Sequence, residues 1–138
     1  MRRLSYIGTI TLLIACGGSP AAPSELRGGV LATFDVVGQS FNVWITNKTA
    51  IDQVLALQRG TSTATIPVAR MQRGSGQGSH NAPYHWHLDP NDIQFASAAI
   101  EVCDGTPNYV ESHIDEFVDV VKTYCPWAAK LVALHDYR

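Results

Sequence analysis

Leu31-Ala32-Thr33-Phe34-Asp35-Val36-Val37-Gly38-Gln39-Ser40-Phe41-Asn42-Val43-Trp44-Ile45-Thr46 holds two runs rich in β-branched and aromatic residues, with a Gly-Gln-Ser break between them. Runs of this composition bounded by turn residues read as strands, here Leu31 to Val37 and Phe41 to Thr46 of an opening β-hairpin. Side chains alternate along a strand, so Phe41, Val43 and Ile45 share one face and Asn42 and Trp44 the other. The chain thus begins its fold with a locally paired, antiparallel unit.

Downstream, the periodicity changes. Ile51, Val54 and Leu55 recur at helical spacing between Thr49 and Arg59; Asn47 or Thr49 can cap this helix and Gly60 can stop it. Ala64 to Met71 reads as a strand, and Pro67, which cannot donate to a ladder, argues for a sheet edge. Arg73 to Asn81, with Gly74, Gly76 and Gly78, reads as a mobile loop. Its glycines suggest a phosphate cradle, but neither Lys-Ser/Thr nor a helix start follows them. Tyr84 to Leu88 is a short strand. Ile93 to Cys103 suits helix or strand, with β-branched ends favouring strand near Ile93–Phe95 and Ile100–Cys103. Thr106 caps a helix with Pro107 at its first position, and Val110, Ile114, Phe117, Val118 and Val121 mark its apolar side. Cys125-Pro126-Trp127 breaks the chain before a last strand, Lys130 to His135. The expected fold is α+β: a small, mostly antiparallel sheet of about five to six strands with two helices packed on one face.

The first residues read differently. Arg2 and Arg3 precede a short apolar stretch from Leu4 to Ala15, the pattern of a secretory signal and too short to span a bilayer, which takes about 20 apolar residues. Leu13-Ile14-Ala15-Cys16 resembles a bacterial lipobox, in which the cysteine receives diacylglycerol before cleavage. Two or three acyl chains, at about 0.8 kcal/mol per buried methylene, give stable attachment. Gly17 is not the aspartate associated with inner-membrane retention, so the expected location is the outer membrane. On this reading residues 1–15 are a lipoprotein signal, residues 16–29 a Pro-, Gly- and Ser-containing tether, and residues 30–138 one domain of ordinary size.

Of 10 Lys and Arg residues the signal removes two, leaving 12 acids against eight bases. The acids are concentrated from Asp89 onward, and nucleic acid, which is recognised through a basic footprint, is not an expected partner. With Cys16 committed to lipid, Cys103 and Cys125 remain as one disulfide in an oxidising compartment. Closing that loop is worth about 3 kcal/mol.

Three sets of residues could carry function. His85 and His87 lie on one strand face and could share a zinc ion, with Asp89, Glu101 or Asp104 completing the ligand set; the alternative is a solvated polar face. Glu111, Asp115 and Asp119 recur every four residues on the last helix, where like charges cost a few tenths of a kcal/mol per pair. Such a row suits a docking face for a basic partner, or is simply solvated. No Gly-x-Ser-x-Gly elbow or other nucleophile motif occurs, so catalysis has little support.

His87-Leu88-Asp89-Pro90, Glu101-Val102-Cys103-Asp104, Tyr109-Val110-Glu111 and Cys125-Pro126-Trp127, with the opening Phe34-Asp35-Val36-Val37-Gly38, give the domain a resemblance to a small family of extracellular bacterial α+β domains. The same domain stands at the N-terminus of a protein named for binding calmodulin. The resemblance covers nearly all of Val30 to Leu134 and implies the same fold, with His87, Asp89, Glu101, Asp104 and Trp127 carried over and Cys103 and Cys125 paired. It implies no established reaction, and His85 falls outside it. Calmodulin targets are basic amphipathic helices, whereas Pro107–Val121 is acidic. The expected function is therefore a lipid-anchored, non-catalytic binding module for an envelope protein or polymer. The alternatives are a histidine-based metal or hydrolytic domain, or a protease inhibitor without an identifiable reactive loop.

Overall fold

The computed structural model describes residues 25–138. Cys16 of the expected lipobox, the expected signal and most of the expected tether lie outside these residues. The opening hairpin forms as its sequence dictates: β1 (Val30–Val36) and β2 (Gln39–Ile45) pair antiparallel along their whole length, from Val30 opposite Ile45 to Val36 opposite Gln39. The last strand of the chain returns to the free edge of β1, completing a three-stranded antiparallel sheet. That strand is β7 (Ala129–Asp136). Its register slips between Thr33 and Phe34, so that Val132 has no partner and is exposed. Val30, Ala32, Phe34, Val36, Phe41, Val43 and Ile45 all point inward and are buried. Trp44 takes the other face, as its place in the alternation requires, and is buried there too, under Leu26, Leu31 and Tyr137. The Gly28 N–H donates to the Tyr137 carbonyl, and the Tyr137 N–H donates back to the Gly29 carbonyl. Leu26 thus belongs to the packed domain, although it falls within residues 16–29, where a tether is expected.

The second sheet is built around β3 (Ile66–Arg73). β4 (Trp86–Leu88) and β5 (Gln94–Ala96) pair with successive parts of one edge of β3, and β6 (Thr123–Tyr124) pairs with the other. β3 is therefore central, not an edge strand. Pro67 is tolerated because β6 stops opposite Ala69, leaving no ladder beside the proline on that side. Between β4 and β5 the chain leaves the sheet at residues 89–93, and side chains repair the ladder. The Arg70 N–H donates to the Asp92 carboxylate at 2.7 Å, and the Arg70 carbonyl accepts from Asp89 N–H. The expectation of one sheet of five or six strands is thus corrected to two sheets, of three and four strands, that share one hydrophobic core. Alternation along single strands cannot reveal this division, since β1 and β7 meet across most of the chain.

The helices do not share one sheet face. α1 (Lys48–Gln58) packs on β5 and β7, while α2 (Pro107–Ser112) packs against β2. Asn47 caps α1 by accepting from Ala50 N–H at 2.7 Å, and its amide donates to the Ile93 carbonyl at 3.1 Å, tying the helix start to β5. The single helix expected from Pro107 to Val121 is interrupted at His113 (φ −132°) and finishes as a π-helical turn over Glu116–Val121, with Lys122 left-handed at its end. The wider turn keeps Phe117 in the core.

The segment Arg73 to Asn81, expected to be mobile, is knitted into the domain. His80 and Asn81 are buried. The Asn81 carboxamide accepts from Asn42 N–H and donates to the Trp86 carbonyl, both at 2.8 Å, while the Asn42 side chain donates to the His80 carbonyl. Buried amides that can satisfy both strand β2 and strand β4 fix a loop that its glycines alone would leave loose.

Candidate binding surface at the disulfide-closed end

The residues singled out from the sequence fall into two places. On the β4 side, the histidine and acidic sets meet each other. Glu111 of α2 reaches β4, where its carboxylate accepts from His85 N–H at 2.9 Å and lies 2.5 Å from His85 Nδ1. Arg73, at the end of β3, donates to Asp115 at 2.6 Å and to both oxygens of Asp119 at 3.0 and 2.8 Å. The hydrogen bonds that Arg73 donates to Asp119 and Asp115 raise the guanidinium's pKa and hold Asp119 below the usual carboxylate range. The row of like charges is thereby offset within the domain, by a base and an imidazole that sequence spacing could not place there. Apart from the partly buried Glu111, these groups are exposed, where ion pairs contribute little stability.

His87 does not join His85 on a common ligand. Its Nδ1 lies 2.8 Å from the Gly74 carbonyl, and its ring sits edge-on to His80 with centroids 5.7 Å apart. Asp89 accepts from the Gln72 side chain and from Asn91 N–H within its own turn. Glu101 and Asp104 stand in a separate region beside the disulfide. The five residues of the candidate ligand set are thus not brought together, and among the described residues no group of three His, Cys, Asp or Glu side chains is placed to hold a metal ion.

The second place is the disulfide end. Cys103 and Cys125 are bonded, with Cα atoms 5.1 Å apart, and the Cys125 N–H donates to the Cys103 carbonyl. Cys103 ends a 3-10 turn, Glu101–Cys103, in place of the strand that β-branched residues favour near Ile100–Cys103. The bond clamps this turn to the chain after β6 and covers the outer face of β3 at Ile66 and Val68. Two further hydrogen bonds fix the surroundings. The Tyr124 hydroxyl donates to the Gly105 carbonyl at 2.8 Å, and Asp104 accepts from Trp127 N–H at 2.8 Å. Burial, with Asp104 nearby as a smaller cause, raises the pKa of the Tyr124 phenol well above its ordinary value, so it remains a donor.

Three adjoining grooves open on this clamped surface. The most apolar, of about 310 Å³, is walled by Val68, Phe95, Ala99, Ile100, Val102 and Val121. Val102 also lines a second groove of about 580 Å³, with Glu101, Asp104, Tyr109, Glu116 and Phe117. Ala98 and Ala99 are shared with a third, of about 260 Å³, beside Trp127. Of the seven large hydrophobic side chains exposed among the described residues, Ile100, Val102, Tyr109 and Trp127 line these grooves. Ile100 and Val102, which are 69% and 60% exposed, are the functional candidates that sequence reading missed. Their apolar character is visible in the sequence, but apolar residues in a strand-like run read as core. Only the 3-10 turn turns them outward.

No curated protein and no solved structure matches the chain. The family model described as the BP-74 N-terminal domain matches residues 29–137, nearly all of the folded part, and the chain belongs to that family.

Proposed function

We propose that this protein is a non-catalytic binding module, held at the cell envelope through a lipid on Cys16, and that its disulfide-closed end receives the partner. The observation that carries the reading is the collection of exposed apolar side chains on a covalently clamped turn. Folding leaves such side chains in water only at a cost of about 25 cal/mol per Å² of apolar surface that burial would recover. Contiguous exposed apolar surface marks interaction sites in soluble domains, and scattered single residues do not. The clamp adds the second requirement of a binding surface, because a turn already fixed loses little conformational freedom when a partner docks.

The test uses the domain from Glu25 onward as bait for solubilised envelope material, with Ile100→Ser/Val102→Ser as the matched control. A component retained by the wild-type domain and lost from the double variant, at unchanged melting temperature, is the expected result. Equal retention by both proteins would remove the disulfide end from the proposal. For the anchor, Cys16→Ala should abolish labelling of the whole chain by radioactive palmitate and release it from the membrane fraction. An unlabelled wild-type protein would end the lipid assignment.

A further inference from the structure

We infer that the occupant of the disulfide-end surface is a cationic amphipathic polypeptide segment. The inference rests on the binding-module reading above and adds the chemistry of the partner. The two larger grooves meet at Val102, yet their walls differ in kind. One is mainly apolar, with Ile100, Val102, Val121 and Phe95 in its wall and only Gln94 and Thr123 as polar members. The other carries Glu101, Asp104 and Glu116 in a wall that also holds Tyr109 and Phe117. No lysine or arginine lines either groove or the third one beside Trp127.

The acids here differ from those on the β4 side. Asp115 and Asp119 share Arg73, and Glu111 is held by His85. Among the described residues, Glu101 and Glu116 make no ion pair, and Asp104 spends one oxygen on Trp127 N–H and keeps the other. Negative charge left unpaired beside an apolar wall favours a partner with apolar side chains on one side and Lys or Arg beside them. Tyr109, one face of which is covered by His113, and Trp127 are both about half exposed and add aromatic surface that attracts such cations. An amphipathic helix laid into a groove presents this pattern through its apolar anchors at helical spacing and its flanking charges. A free acyl chain would fill the apolar groove but leave the carboxylates unpaired, and an anionic lipid surface would be repelled by them.

The probe is a synthetic peptide of about 18 residues with Leu at helical spacing and Lys elsewhere, titrated into the domain while Trp127 fluorescence is followed. Trp44 and Trp86 are buried, so a change in the signal on titration reports Trp127, in the groove that adjoins the apolar one through Ala98 and Ala99. Its counterpart carries Glu in place of Lys. The Lys peptide should bind, and Glu101→Gln/Glu116→Gln should weaken it about tenfold and flatten its salt dependence. Neutralising two remote acids, Glu25→Gln/Asp52→Asn, should leave it unchanged. Equal binding of the Lys and Glu peptides, both weakened by Ile100→Ser/Val102→Ser, would overturn the cationic partner while keeping the groove. Binding of neither peptide, or binding that none of the groove substitutions alters, would overturn both. Preference for vesicles of anionic phospholipid, undiminished by the Glu→Gln changes, would replace the peptide by a membrane and also overturn the inference.

Discussion

The two sheets reach similar burial by different means. The three-stranded sheet is held by long ladders: β1 pairs with seven residues of β2 and with nearly all of β7, and its inner face is an unbroken run of buried aliphatic and aromatic side chains. In the second sheet the partners of β3 are two or three residues long. Strands this short contribute few backbone hydrogen bonds and are marginal by themselves. What the ladders lack is supplied by side chains and one covalent bond: Asp92 on the Arg70 amide, Asn81 between β2 and β4, and Cys103–Cys125 behind β3. The second sheet therefore consists mainly of supports, and both candidate surfaces lie on it. A scaffold assembled from local props can vary its surface without disturbing the ladder-built half.

The largest expected effect breaks the joint between the halves. Phe34 of β1 is fully buried, with ring centroids 5.9 Å from Phe41 and 6.0 Å from Phe95 of the second sheet. Phe34→Ala should cost about 4 kcal/mol and destabilise both sheets together in a denaturant titration. If amides of only one sheet lost protection from hydrogen exchange, the sheets would be independent units. Next comes the prop itself. Cys103→Ser/Cys125→Ser should cost about 3 kcal/mol on the loop-closure account. Native-state exchange should rise at β6 and residues 97–105 while β1 and β2 stay protected. Uniform loss of protection would show that the disulfide stabilises the whole fold evenly, and the contrast between the sheets would fail.

The same contrast explains what can be read in advance. The hairpin, α1, the Thr106 cap with Pro107, the last strand and the cysteine pair are each determined by residues close in sequence, or by the count of cysteines. The second sheet depends on residues that meet from distant parts of the chain. Pro67 suggests an edge because sequence cannot show that β6 ends short of it. Ile100 and Val102 look like strand residues, and the acidic row looks free because nothing in its spacing reveals Arg73 or His85. The glycines of residues 73–81 suggest mobility, whereas the order comes from Asn42 and Asn81, 39 positions apart. Grouping His85, His87, Asp89, Glu101 and Asp104 as one site fails for the same reason.

A smaller effect tests the polar prop. Asn81→Ala leaves the Asn42 N–H and the Trp86 carbonyl without their partners in a buried place. Each unsatisfied group costs roughly 1–3 kcal/mol, less whatever water recovers, so about 2 kcal/mol is expected. Thermal melts of Asn81→Ala and Asn81→Asp, which keeps the acceptor, should separate the two bonds. A loss below about 0.5 kcal/mol, the usual range for surface changes, would show the loop to be ornamental.

The smallest effect depends on pH and comes from His80 in the same loop. Its ring is buried, with Nδ1 2.9 Å from the Gln77 carbonyl. A carbonyl only accepts, so Nδ1 must carry the proton, and Nε2 is a buried lone pair without a partner. Protonation would add an N–H with no acceptor. Burial is the main cause that lowers the His80 pKa; the Gln77 hydrogen bond opposes it, and His87, the nearest titratable ring, assists it. The sign follows from linkage. The unfolded chain binds this proton more readily, from about pH 6.5 downward. The neutral ring's contribution is therefore complete above that pH and is lost as pH falls toward the depressed folded value. The slope is at most about 1.4 kcal/mol per pH unit, and the loss ends once the folded form is protonated as well. The paired carboxylates, such as Asp136 with its pKa of about 2 beside Arg138, act in a lower window. Urea titrations at intervals between pH 7 and pH 5 should show the decline in the wild type and its absence in His80→Gln. Parallel curves for the two proteins would mean that His80 is reached by water in the folded state, and the second sheet would then have one fewer tightly closed support than its hydrogen bonds imply.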